Sequence, residues 1–191
     1  MSKSGKWLST VMSVVTVLSL SLSPHPVIMV LCYGIHEMGH LVLARAVGAQ
    51  MRGFYIGSFH LSITYDAGNL TYKRELAVQA GGIIFNFCSA LLAFLLPLEG
   101  EAVSFFIICS ISLGAMNLYP VSILDGGGML KSLFLCIMSG DVAEKASKYV
   151  SFFAAILMWM VAVYAQIVFV ASPSLFAISV LLLIKLCFSY C

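Results

Sequence analysis

The chain has 191 residues, 61% of them hydrophobic and 9% charged, with a formal net charge of +2. This composition excludes a soluble globular domain and indicates a polytopic membrane protein. The length holds one membrane domain, with no room for a sizeable soluble one, and the small net charge gives no reason to expect nucleic acid as a partner.

Residues 1–6 carry Lys3 and Lys6 and lead into an apolar, Ser-rich stretch over 7–23 that Pro24-His25-Pro26 ends. A signal peptide would share this basic start and short apolar core. Pro24 directly after the cut argues against one, and the segment is read as a first span. Residues 26–47 form a second span, with Pro26 suited to its start and Gly48 to its end.

Within that second span lies His36-Glu37-Met38-Gly39-His40. Ionisable side chains are expensive in a bilayer and are functional candidates there by default. On a helix His36 and His40 lie four apart on one face, so both imidazoles can bind one metal ion, and Glu37 beside them can serve as general base. Two packed histidines and a snorkelling glutamate are the bland alternative. Without a metal that arrangement would leave buried polar groups unpaired.

Residues 49–75 change character: Met51 to Phe59 and Leu61 to Tyr65 are rich in aromatic and β-branched side chains, Asp66-Ala67-Gly68-Asn69 is a turn signal, and Leu70-Thr71-Tyr72 continues in the same style. They predict a short β-hairpin at the cytosolic membrane face. His60 reads there as a polar strand residue. Residues 76–97 form a third span containing Gly81-Gly82 and Asn86, small residues for close helix approach and an amide that is interhelical glue or a site group.

Residues 102–118 form a fourth span that runs into Asn117-Leu118-Tyr119-Pro120 and then Leu124-Asp125-Gly126-Gly127-Gly128. Pro120 and the three glycines are expected to disturb the helix, so that the part over 129–138 bends toward the inner interface. Residues 139–148 are polar, 149–171 form a fifth span broken by Pro173, and 174–190 a sixth. The last two read as packing. The six cysteines (Cys32, Cys88, Cys109, Cys136, Cys187, Cys191) form no Cys-x-x-Cys pair and read as ordinary helix residues.

With the N-terminus in the cytosol, all ten basic residues fall on one side: Lys3, Lys6, Arg45, Arg52, Lys73, Arg74, Lys131, Lys145, Lys148 and Lys185. This satisfies the positive-inside rule and predicts both termini inside. The fold expected is therefore an all-α polytopic membrane protein of about six transmembrane helices. It forms a single domain over 1–191, with a catalytic core over 26–138 and extra spans over 7–23, 149–171 and 174–190.

A catalytic zinc site takes three protein ligands and keeps one position open. The acids Asp66, Glu75, Glu99, Glu101, Asp141 and Glu144 sit in loops or at span ends. Asp125 alone follows a span on broken backbone, and elimination makes it the third ligand. His36, His40 and Asp125 then hold one Zn2+ per chain, and Glu37 moves the proton in peptide hydrolysis. Asn86 and Asn117 are the candidates to donate to the oxyanion or the substrate. A transmembrane substrate must unwind to expose a peptide bond, and strand addition to the edge of the 51–72 hairpin would hold it extended.

With these residues assembled, the chain resembles the site-2 protease family of intramembrane metalloproteases. His36-Glu37-x-x-His40 matches its His-Glu-x-x-His. Asn117-x-x-Pro120 with Leu124-Asp125-Gly126-Gly127 matches its Asn-Pro…Leu-Asp-Gly motif, and Gly81-Gly82-x-x-x-Asn86 resembles its Gly-rich, Asn-containing helix. The resemblance covers a three-helix core over roughly 26–138. It implies regulated intramembrane proteolysis of transmembrane protein substrates in a lipid bilayer, expected to be a bacterial cell membrane. The six-span layout looks most like the sporulation pro-sigma-factor processing branch. No PDZ insertion and no CBS domain is visible in the sequence, which leaves room for a regulatory membrane protein as partner. Two alternatives stay open: a catalytically inactive relative acting as a membrane scaffold, and a membrane metal transporter, although neither an inverted repeat nor the placing of Glu37 favours the latter.

Overall fold

The structure is a computed structural model that describes residues 25–49, 51–57, 60–65 and 70–169, and residues 176, 179, 180, 183, 184 and 186 singly. The expected first span over 7–23, the turn over 66–69 and much of the sixth span lie outside the described residues.

Helix α1 spans Pro26–Ala46, close to the expected limits. Pro26 occupies the first turn, where its missing N–H leaves no helical bond unmade. At the other end Gly48 takes φ 75. Its N–H donates to the Arg45 carbonyl, and the Ala49 N–H donates to the Ala44 carbonyl. These two bonds are the Schellman pattern, which satisfies the last carbonyls of the helix.

Strands β1 (Met51–Gly57) and β2 (His60–Tyr65) follow, antiparallel, with Phe54 opposite Ile63 and Gly57 opposite His60. Helix α2 spans Tyr72–Leu95. It begins earlier than the expected 76, so Tyr72 is helical and does not continue a strand. Glu75 in its first turn suits the positive end of the helix dipole.

Helix α3 spans Glu101–Asn117 and α4 spans Asp125–Ile137, with the chain non-helical between them. The expected break is present, but its location differs from expectation. Gly126, Gly127 and Gly128 all lie inside the first turn of α4. They serve close packing: a Cβ on Gly126 would meet the Leu118 carbonyl, one on Gly127 the Val121 carbonyl, and one on Gly128 the Gln79 side chain at 2.9 Å. The start of α4 is thus folded back against the loop that precedes it.

Helix α5 spans Gly140–Phe169, so the polar stretch over 139–148 is its first turns, in place of a loop before a span beginning at 149. Asp141 lies in the first turn, and Glu144 pairs with Lys148 at 2.9 Å, four residues on. Such pairs support an exposed helix by a few tenths of a kcal/mol, roughly 0.2–0.5.

Among the described residues three helices, Pro26–Ala46, Tyr72–Leu95 and Gly140–Val168, are long and apolar enough to cross a membrane, and Glu101–Asn117 is a shorter apolar helix. Large apolar side chains stand exposed on all of them, including Val27, Phe94, Ile108 and Ile167. This outward face matches lipid as solvent, and the chain is a helical membrane protein. Helix α2 is central, packing on α1, α3 and α4. Its buried face carries Val78, Gly82, Asn86 and Ala90, four apart along one stripe. Contact with α1 is closest at Gly39 and Gly81, where a Cβ on either would meet the backbone of the other. Cys32 is fully buried and accepts from the Ser110 hydroxyl at 3.3 Å, a packing role as expected.

Candidate metal centre

The third turn of α1 carries His36, buried, with Glu37 and His40 half-buried beside it. Asp125 is the first residue of α4. The Asp125 Oδ2 lies 2.9 Å from His36 Nε2 and 3.2 Å from His40 Nε2, and the two Nε2 atoms are 3.2 Å apart. Three side chains separated by up to 89 positions therefore converge on one point. Asp125 Oδ2 is buried, yet it has no in-line hydrogen-bond donor despite the two nitrogens beside it. A tetrahedral zinc with bonds of about 2.0–2.1 Å sets its ligand atoms about 3.3 Å apart. The donor set and its spacing fit that ion, and among the described residues His36, His40 and Asp125 are the group that could hold one.

Partners behind the ligands orient them. His40 Nδ1 donates to the Val78 carbonyl at 2.8 Å, which puts the proton on Nδ1 and leaves Nε2 bare for the metal. His36 Nδ1 lies 3.0 Å from the Asn86 side-chain amide, which is fully buried. As placed, the amide nitrogen faces the imidazole and Oδ1 has no partner. Amide orientation follows from the network it must satisfy. Turned over, Oδ1 accepts the Nδ1 proton of His36, which leaves His36 Nε2 bare, and the amide nitrogen takes the place of the partnerless oxygen.

Gly82 supplies the room. A Cβ there would stand 2.5 Å from His40 Nε2, 2.6 Å from His36 Cε1 and 2.7 Å from His36 Nδ1. The sequence marks Gly82 as a helix-packing residue, whereas in the structure the packing partners are the two imidazole rings. The Val78 carbonyl has no signal in the sequence, because any residue type supplies a carbonyl. Asn117, by contrast, donates its amide to Leu113 O of its own helix at 3.1 Å, and not to the three ligating side chains.

The model of Peptidase family M50 matches residues 100–161, the stretch that contains Asp125 and its loop. Comparison with curated proteins finds no match. Among solved structures, the chain is similar to "Site-2 Protease from Methanocaldococcus jannaschii", at 16% identity and a TM-score of 0.67, covering 93% of this chain and 86% of that one. At this identity the likeness is one of fold. The resemblance to the site-2 protease family read from the three motifs agrees with both findings. The family match bears on the stretch around Asp125 and the structural likeness on the fold.

Proposed function

We propose that this chain is a zinc-dependent intramembrane endopeptidase that hydrolyses peptide bonds within or near transmembrane segments of membrane-bound substrates. The observation that carries this reading is the convergence of His36 Nε2, His40 Nε2 and Asp125 Oδ2 with Glu37 adjacent. A bound zinc would supply a Lewis acid that polarises the scissile carbonyl and acidifies water.

This chain's residues do the rest. Glu37 takes a proton from the attacking water and returns it to the leaving amine. Asn86 orients His36 and offers its N–H donors to the carbonyl oxygen as it gains charge. Asn117 remains a second donor candidate. The site lies about ten residues into α1, roughly 15 Å from its start.

In the same reading the chain has six spans with both termini cytosolic, in the layout of the sporulation pro-sigma-factor branch, and the 51–72 hairpin takes the unwound substrate as an added strand. The test is reconstitution of the zinc-loaded protein in liposomes with a single-span substrate peptide, with products read by mass spectrometry. Cleavage by wild type and none by Glu37→Gln supports the proposal. Zinc binding without cleavage of any single-span substrate would favour a scaffold, and zinc flux across the liposome a transporter.

A further inference from the structure

Asp125 opens α4 directly after the loop over 118–124, and loop backbone inside a membrane protein must find partners within the protein. Two hydrogen bonds tie that loop to α5, outside the three-helix core, and one of them satisfies loop backbone. The Ser151 hydroxyl donates to the Pro120 carbonyl at 3.3 Å. The Tyr119 hydroxyl donates to the Ala154 carbonyl at 3.1 Å. Ser151, Ala154 and Ala155 are three and four apart and so share one face of α5. All three are buried, Ser151 and Ala155 completely.

The apolar contacts agree. Val121, at the middle of the loop, is fully buried against Ala154, Ala155 and Leu186, and Leu124, the residue before Asp125, packs on the same cluster. Small side chains on α5 let the loop backbone come close enough for both hydrogen bonds. Nothing in the three ligands themselves sets how far Asp125 reaches toward α1. The packing of Gly128 on Gln79 of α2 and the seat of the loop on α5 both bear on it.

We infer that α5 is a positioning element of the metal centre and that Ser151 is a positioning residue for Asp125, acting through the Pro120 carbonyl. The inference rests on the metal-centre reading above. Removing the hydroxyl frees a loop carbonyl and loosens the carboxylate, while the two histidines stay held by Val78 and Asn86.

The test uses the full-length protein in detergent: wild type, Ser151→Ala, Ser151→Thr and Ala155→Leu. Zinc affinity is measured against a chromophoric chelator, the ligand field by the visible spectrum of the cobalt-substituted protein, and the fold by thermal unfolding of the metal-free protein. Ser151→Ala should lose about 10-fold in zinc affinity, the low end for groups that orient metal ligands. Its cobalt spectrum should change, and its metal-free unfolding temperature should stay near wild type. Ser151→Thr keeps the hydroxyl and should recover the affinity and spectrum. Ala155→Leu lifts the loop and should lose more than Ser151→Ala. Wild-type affinity and spectrum in Ser151→Ala overturn the inference, as does a lower unfolding temperature with the metal site unchanged. A wild type that binds no zinc overturns the metal-centre reading itself, and the inference with it.

Discussion

A methyl group built on Gly82 stands 2.5 Å from His40 Nε2. The helix that carries no ligand thus sets the space in which two ligands sit. Gly82→Ala should displace one or both imidazoles and abolish tight zinc binding. Gly34→Ala, on the same α1 helix where an added Cβ meets nothing within 4 Å, should leave zinc binding unchanged. Equal zinc content in the two purified variants would contradict this account of Gly82.

Asn86 can be tested by charge and shape. Asn86→Asp keeps an acceptor for the His36 Nδ1 proton and should hold zinc. Asn86→Leu, of similar size, removes it and should weaken zinc binding about 10- to 100-fold. Competition titration reads both. If Asn86→Asp loses zinc while Asn86→Leu keeps it, the amide donates to His36 and the orientation assigned above is wrong.

Glu37 holds no ligand position among the three converging atoms. Glu37→Gln should therefore keep about one zinc per chain and lower cleavage by about 10²- to 10⁴-fold, the usual worth of a positioned general base. Metal analysis beside a cleavage assay gives both numbers. Loss of zinc in this variant would make Glu37 a ligand.

Proline along β2 removes main-chain donors from the sheet and none from the helices α1 and α4 that carry His36, His40 and Asp125. If substrate adds as a strand, such variants should cleave poorly while binding zinc like wild type. Unchanged cleavage by every variant along both strands would remove strand addition.

Helix α1 was fully legible in the sequence, because its limits rest on local chemistry: Pro26 at one end and the left-handed Gly48 at the other. The spacing of His36 and His40 was legible for the same reason, since four residues on a helix return to one face. Elimination among the acids other than Glu37 sufficed to nominate Asp125. The break after Asn117 was legible too, although Gly126, Gly127 and Gly128 turned out to be helical and packed. Glycine marks both flexibility and close approach, and only neighbours from elsewhere in the chain tell the two apart.

The sequence by itself thus brought His36, His40 and Asp125 forward as one group and marked the chain as apolar enough for a membrane. The tertiary structure alone decided how they are held: Val78 O on His40, Asn86 on His36, Gly82 beneath both rings, and α5 behind the Asp125 loop. A ligand is a side-chain type at a spacing, and so can be read from sequence. Its support is a carbonyl, an empty volume or a distant hydroxyl, and these acquire meaning only when packing brings them within about 3 Å of the atom they hold.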